Sequence, residues 1–228
     1  MTLPHKIGDK LPDLRLGSMG GNSVALHDLL GRKSLVYVWA SWCGCREKLP
    51  LLEAFHRKHP GIHAVSIACD AQGVDLPMRY LSAAKATHEM WIDATCVVSR
   101  RWGLKQVAVL FLLDEEGCLA WTGTLDEAAL SEVEKLLSKP PARTNVPYPK
   151  VDTKNTKIEF LVQLCTNYLT RRRTEDAVGF LRKALAVDPE NRILPKQVWA
   201  IQSPEKFYSG PIDKDWQSRQ PPVTPLAS

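Results

Sequence analysis

The stretch from Ser34 to Phe55 constrains this chain more than any other part of it. Its first part, Ser34-Leu-Val-Tyr-Val-Trp39, is a short apolar run rich in β-branched and aromatic residues, which reads as a buried strand. After it, Leu49, Leu51, Leu52 and Phe55 recur at helical spacing. Between strand and helix stand two cysteines, Cys43 and Cys45, separated by Gly44. The carboxyl end of a strand is where α/β sheets carry their chemistry. Near the first turn of a helix, unsatisfied backbone N–H groups and the positive end of the helix dipole favour a thiolate. Arg46 and Lys48 add positive charge nearby.

The same periodicity arguments predict strands at 12–16, 34–40, 63–68, 109–114 and 118–122, and helices over 49–58, 76–85 and 126–137. Strands and helices alternate and then a hairpin closes. That order predicts an α/β fold, a central mixed sheet flanked by helices on both faces. From Ser138 to Pro149 the chain turns proline-rich, as a stiff linker does, and a domain boundary is expected there. Beyond it, Ile158, Leu161, Leu164, Cys165 and Tyr168 mark one helical face; Ala177, Phe180, Leu181, Ala184 and Leu185 mark another. Three segments result: residues 1–137, a linker over 138–152, and a small all-α appendage over 153–228.

Trp39-Ala-Ser-Trp-Cys-Gly-Cys-Arg-Glu-Lys-Leu-Pro50 resembles the active-site segment of the thioredoxin superfamily, in its TlpA/ResA-like, AhpC/TSA-type redoxin branch. Ile7-Gly-Asp-Lys-Leu-Pro-Asp-Leu-Arg-Leu16 is similar to that branch's opening strand, and Ala25-Leu-His-Asp-Leu-Leu-Gly31 to the lead-in to its first core strand. Trp102-Gly-Leu-Lys-Gln-Val-Ala-Val-Leu-Phe-Leu-Leu-Asp114 with Glu116-Gly117 is similar to a later segment. The resemblance runs from about residue 5 to 137. It implies a thioredoxin-like fold and a thiol–disulfide oxidoreductase or isomerase. Cys43 would attack and Cys45 resolve, Trp42 would shield the nucleophile, and Trp42, Val107 and Ala108 would line the substrate groove. Substrates would be protein or small-molecule thiols and disulfides, with no cofactor. The appendage resembles a single tetratricopeptide-type helix pair, including its ending Lys183-Ala-Leu-Ala-Val-Asp-Pro-Glu-Asn191.

Three positions depart from the family pattern. The pair is Cys-Gly-Cys, one residue shorter than Cys-x-x-Cys; Ala108 stands where the family has a cis-proline; Lys48 stands where it has a glutamate, with Glu47 one position early. A disulfide closed across one residue makes a small ring, and strain in it favours the dithiol, giving a pair better at oxidising or reshuffling than at reducing. Alternatively the two sulfurs never pair, and Cys43 reacts alone or both thiolates hold Cu(I) or Zn(II); the scaffold is then a soft-metal-binding or partner-binding module rather than an enzyme. A cis bond before a residue other than proline costs about 2.5–4 kcal/mol, so Val107–Ala108 is expected to be trans.

A single appended helix pair cannot bury both of its faces. It must dock on the first domain, on a protein partner or second copy of the chain, or on its own tail. The tail, with Trp199, Phe207, Tyr208 and Trp216, is too aromatic for a disordered end. It reads as a brace for the helix pair or as a lid or dimer arm over the cysteines. The net charge of +5 is mild and spread along the chain apart from Arg171-Arg172-Arg173, which reads as a solvated helix end, so nucleic acid is not an expected partner. No apolar run approaches the roughly 18 residues of a membrane span. The segment Met1-Thr-Leu-Pro-His-Lys lacks a signal sequence's apolar region, and a cytoplasmic location is expected. Cys69, Cys96, Cys118 and Cys165 show no paired spacing, as buried thiols of a reducing compartment do not. His56, His59 and His63 read as solvated helix-end residues rather than metal ligands, and Asp70 and Asp114 as turn and cap residues.

Overall fold

The structure is a computed structural model that describes residues 4–141, 146–149 and 153–227. Its centre is a seven-stranded sheet of β1 (Arg15–Ser18), β2 (Ser23–Ala25), β3 (Ser34–Trp39), β4 (His63–Ala68), β5 (Glu89–Ile92), β6 (Val109–Leu113) and β7 (Leu119–Gly123). Their order across the sheet is β2-β1-β5-β4-β3-β6-β7. β3, β4 and β5 pair in parallel, and the other four pairings are antiparallel.

The mixed sheet is as expected, and β3 shows why its sequence is apolar at every position. All six residues are buried, because both faces of this strand are covered. Leu35, Tyr37 and Trp39 point toward α1 (Leu49–Lys58), α2 (Asp75–Ala83) and α4 (Glu127–Leu136), where they meet Leu49, Leu52, Phe55, Leu81, Leu130 and Val133. Val36 and Val38 point the other way, to α3 (Val97–Arg101) and the N-terminal segment, among Leu11, Leu14, Leu26, Val98 and Trp102. Each such side chain contributes about 1.5–3 kcal/mol by leaving water.

Within the α/β part, two strands and one α-helix are absent from the sequence reading. β2 and β5 are three and four residues long, too short to show a period, and α3 is five. α3 exists because the Asp93 carboxylate accepts hydrogen bonds from the Val97 and Val98 N–H groups at 2.8 and 2.9 Å. The first strand begins at Arg15 rather than residue 12, since it pairs only where β2 and β5 lie beside it.

The helical appendage comprises α5 (Thr153–Thr170), α6 (Thr174–Val187), α7 (Ile193–Gln202), α8 (Glu205–Tyr208) and α9 (Lys214–Ser218). Ile158, Leu161, Cys165, Ala177, Leu181, Ala184 and Leu185 are buried as their spacing predicts. They share one cluster with Val198, Phe207 and four residues of the α/β part: Ala40, Trp42, Ala71 and Cys96. The pair therefore docks on the first domain and on its own tail. Arg101 grips Glu159 with two hydrogen bonds, at 3.0 and 3.1 Å, to hold α5 in place. Arg171, Arg172 and Arg173 lie exposed in the α5–α6 turn, as expected. Residues 142–145 and 150–152 of the expected linker lie outside the described residues.

Candidate active site

β3 ends at Trp39, and the chain turns through Ala40–Cys43 into a 3-10 helix over Gly44–Lys48 that continues as α1. Cys43 is the residue that caps the 3-10 helix. Its Sγ accepts a hydrogen bond from the Cys45 N–H at 3.2 Å, so the backbone aims a donor at the sulfur. That donor, with the helix terminus, stabilises charge on Cys43 in the reduced pair. Cys43 and Cys45 are partly exposed and joined by a disulfide, with Cα atoms 5.1 Å apart, inside the usual range for a bridge. The Tyr37 hydroxyl donates to the Cys45 carbonyl at 2.9 Å and fixes the loop to the centre of the sheet.

Arg46 does more than add charge near the thiols. It is only 6% exposed, and its guanidinium donates to the carbonyls of Ser41 at 2.6 Å, Phe207 at 2.8 Å and Gly210 at 2.9 Å. Its plane lies over the Tyr80 ring, 4.3 Å from the centroid. One side chain thus ties the cysteine loop to the C-terminal tail. A second tie runs through Asp70, at the end of β4 and 0% exposed. Its carboxylate accepts from the Ser41 N–H at 2.9 Å and from the Ser41 hydroxyl. Tyr208 of α8 reaches the same hydroxyl at 3.4 Å and accepts from Gln72 at 2.8 Å. Gln197 of α7 adds a third tie, accepting from the Ala71 N–H at 2.8 Å and donating to Cys96 Sγ at 2.6 Å.

Burial raises the Asp70 carboxyl; the two Ser41 hydrogen bonds oppose it, Asp93 adds to it, and the balance leaves Asp70 at about 6. A carboxyl held above its unfolded value of 3.8 binds its proton more tightly in the folded chain. Its contribution therefore favours folding below about pH 4 and is lost as pH rises through about 6. Asp70→Asn removes that loss. The urea-unfolding free energy of the variant minus that of the parent should rise by about 2 kcal/mol between about pH 4 and 7 and then level off. A difference that does not change with pH refutes this.

The other expected site residues divide. Trp42 is 2% exposed: it packs under the appended helices and donates from Nε1 to the Cys69 carbonyl at 3.2 Å, so it offers no open face to a bound peptide. Val107 and Ala108 are partly exposed, and Val107 packs in the cluster that includes Cys43. The Val107–Ala108 bond is cis, contrary to the expectation of trans. That expectation followed from the preference of an isolated peptide, whereas here the chain on either side is fixed by the packing of Val107 and the pairing of β6. Cys96 is buried, and burial together with Asp93 holds its thiol well above the ordinary range. His59 and His63 are not solvated. They pair with Glu134 at 2.9 Å and Glu89 at 2.8 Å. Asp114 is a turn residue, accepting from the Glu116 and Cys118 N–H groups, as expected. Among the described residues no three His, Cys, Asp or Glu side chains converge to hold a metal ion, so Cys43 and Cys45 have no third such ligand there.

Ser41, Asp70, Gln197 and Tyr208 went unread as parts of the site. Their partners lie up to 167 residues away along the chain, where no local pattern reaches.

The family model described as Redoxin matches residues 6–137, more than half of the chain. The chain belongs to the Redoxin family. This redoxin is 23% identical over 116 residues to the thioredoxin-like protein YneN of Bacillus subtilis, a match covering 49% of this chain and 68% of that one. Among solved structures, it resembles one from Chlorobium tepidum described as a DsbE thiol:disulfide interchange protein. The identity there is 28%, the TM-score 0.52, and the match covers 57% of this chain and 94% of that one. It also resembles the thioredoxin domain of a thiol-disulfide oxidoreductase from Bacteroides vulgatus, at 21% identity and TM-score 0.54 over 59% of this chain and 99% of that one. The redoxin fold is thus the thioredoxin-like one, and the matched family segment stops before α5. No described helix is long and apolar enough to cross a membrane.

Proposed function

We propose that this redoxin is a thiol–disulfide oxidoreductase or isomerase whose working pair is Cys43-Gly44-Cys45. The observation that carries the reading is the setting of Cys43: partly exposed, capping a helix, with the Cys45 N–H directed at its sulfur and Cys45 within bonding reach. The Chlorobium tepidum and Bacteroides vulgatus neighbours, named for thiol:disulfide interchange and thiol-disulfide oxidoreduction, support it.

In the reducing direction the Cys43 thiolate attacks one sulfur of a substrate disulfide. A Cys43–substrate S–S bond forms, the substrate S–S bond breaks, and the departing sulfur takes up a proton. Cys45, having given up its proton, then attacks Cys43 Sγ and releases the second substrate sulfur as a thiolate, which takes up a proton. The substrate has gained two electrons and two protons, and the Cys43–Cys45 disulfide remains. The reverse sequence oxidises a dithiol substrate, and stopping at the mixed disulfide permits reshuffling. Arg46, Tyr37 and Asp70 act through the backbone by holding the loop.

Equilibration with glutathione buffers of graded ratio, followed by thiol alkylation and mass measurement, tests the pair. A reversible two-electron transition confined to Cys43 and Cys45 is expected. Absence of an internal disulfide at every ratio would overturn the reading.

A further inference from the structure

Beside Val107 the α/β domain and the appended helices leave a cleft of about 1070 Å³. One wall is Lys105 and Gln106, the residues just before Val107; the other is the α6–α7 corner and the tail. The cleft is larger than the 300–1,000 Å³ of ordinary small-molecule sites, and Lys105, Gln106, Glu190 and Arg192 at its mouth are exposed. Its apolar lining includes Trp199 and Val223, which pack in the cluster that includes Cys43 and Val107.

The charges are unequal. Lys105, Arg192 and Lys196 face a single carboxylate, Glu190, which already pairs with Lys105 at 3.1 Å. Among the described residues Arg192 and Lys196 have no carboxylate partner. Burial, and then the neighbouring Lys214, lower the Lys196 ammonium. Two uncompensated cations over an apolar floor complement an anionic ligand with apolar side chains.

We infer that this cleft binds an extended acidic peptide segment of the protein whose thiols or disulfide reach Cys43. The inference rests on the exchange reading for its substrate, and on the cleft alone for the recognition. The acidic side chains would meet Arg192 and Lys196, an apolar side chain would cover Trp199, and the peptide would leave the cleft past Gln106 toward Val107.

Two dye-labelled, cysteine-free peptides of equal length, one with acidic and one with basic residues around a shared leucine, serve as probes by fluorescence anisotropy. The full chain should bind the acidic peptide at least about tenfold more tightly, and added salt should weaken that binding. Arg192→Glu/Lys196→Glu should remove the preference, and Arg192→Lys/Lys196→Arg should keep it. Circular dichroism and thermal unfolding establish that the variants are folded. Equal binding of the two peptides, or a preference unchanged in the charge-reversed protein, overturns the inference. Turnover of a small uncharged disulfide by the unaltered protein is measured alongside. Its failure strikes the exchange reading alone, because the binding result needs no cysteine chemistry.

Discussion

Cys43→Ser should abolish exchange with disulfides, on the order of 10³-fold or more, while Cys45→Ser should accumulate mixed disulfides with substrate. The asymmetry follows from the geometry at the helix start. Cys43 caps the 3-10 helix, and its sulfur receives the Cys45 N–H; Cys45 lies inside the turn, and its own carbonyl is held by Tyr37. Removing the attacking sulfur removes the covalent path itself, a loss of about 4 kcal/mol or more in transition-state stabilisation. Removing the resolving sulfur leaves the first step intact and stops the second, so the intermediate survives for non-reducing gel analysis or mass spectrometry. Equal activity in Cys43→Ser, or trapping in that variant instead, would sink the assignment of roles.

Arg46→Ala destabilises the fold by about 3–4 kcal/mol. The guanidinium is buried and donates to three carbonyls from two distant parts of the chain, at 41 and at 207 and 210. Charge-assisted hydrogen bonds are worth about 1.5–3 kcal/mol each, but water enters the space left by the side chain and the three losses do not add in full. For a chain of this size the melting temperature should fall by about 10 °C. Arg46→Lys should recover only part of it, because an ammonium cannot reproduce the planar fork or its stacking on Tyr80. The second readout is local: with α8 untied, Tyr208 separates from Ser41 and the Cys43–Cys45 pair is alkylated faster after reduction. A melting temperature within a degree or two of the parent would show that Phe207 packing and the Tyr208 and Gln197 hydrogen bonds hold the tail without Arg46.

The middle of the sheet and its chemistry-bearing corner were readable from the sequence, though β2 and β5 were not. Ser34–Trp39, His63–Ala68 and Leu49–Lys58 are legible because their apolar periods are complete, and each forms the element expected over those residues. The cysteines are legible because the end of a buried strand and the start of a helix mark the same place. The buried faces of α5 and α6 are legible for the same reason, as are the aromatic residues that make the tail pack.

The tertiary structure alone decided where that helix pair goes and what the residues around the cysteines do. Amphipathicity says that a face must be covered, and is silent on what covers it. Here Trp42 becomes part of the cover rather than a groove wall, Asp70 anchors Ser41 besides opening the turn to Gly73, and Arg46 becomes a bridge to the tail. Each of these roles depends on a hydrogen bond or contact between residues far apart in the chain. Such pairings leave no period in the sequence, because their geometry exists only once the sheet and the helices have packed together.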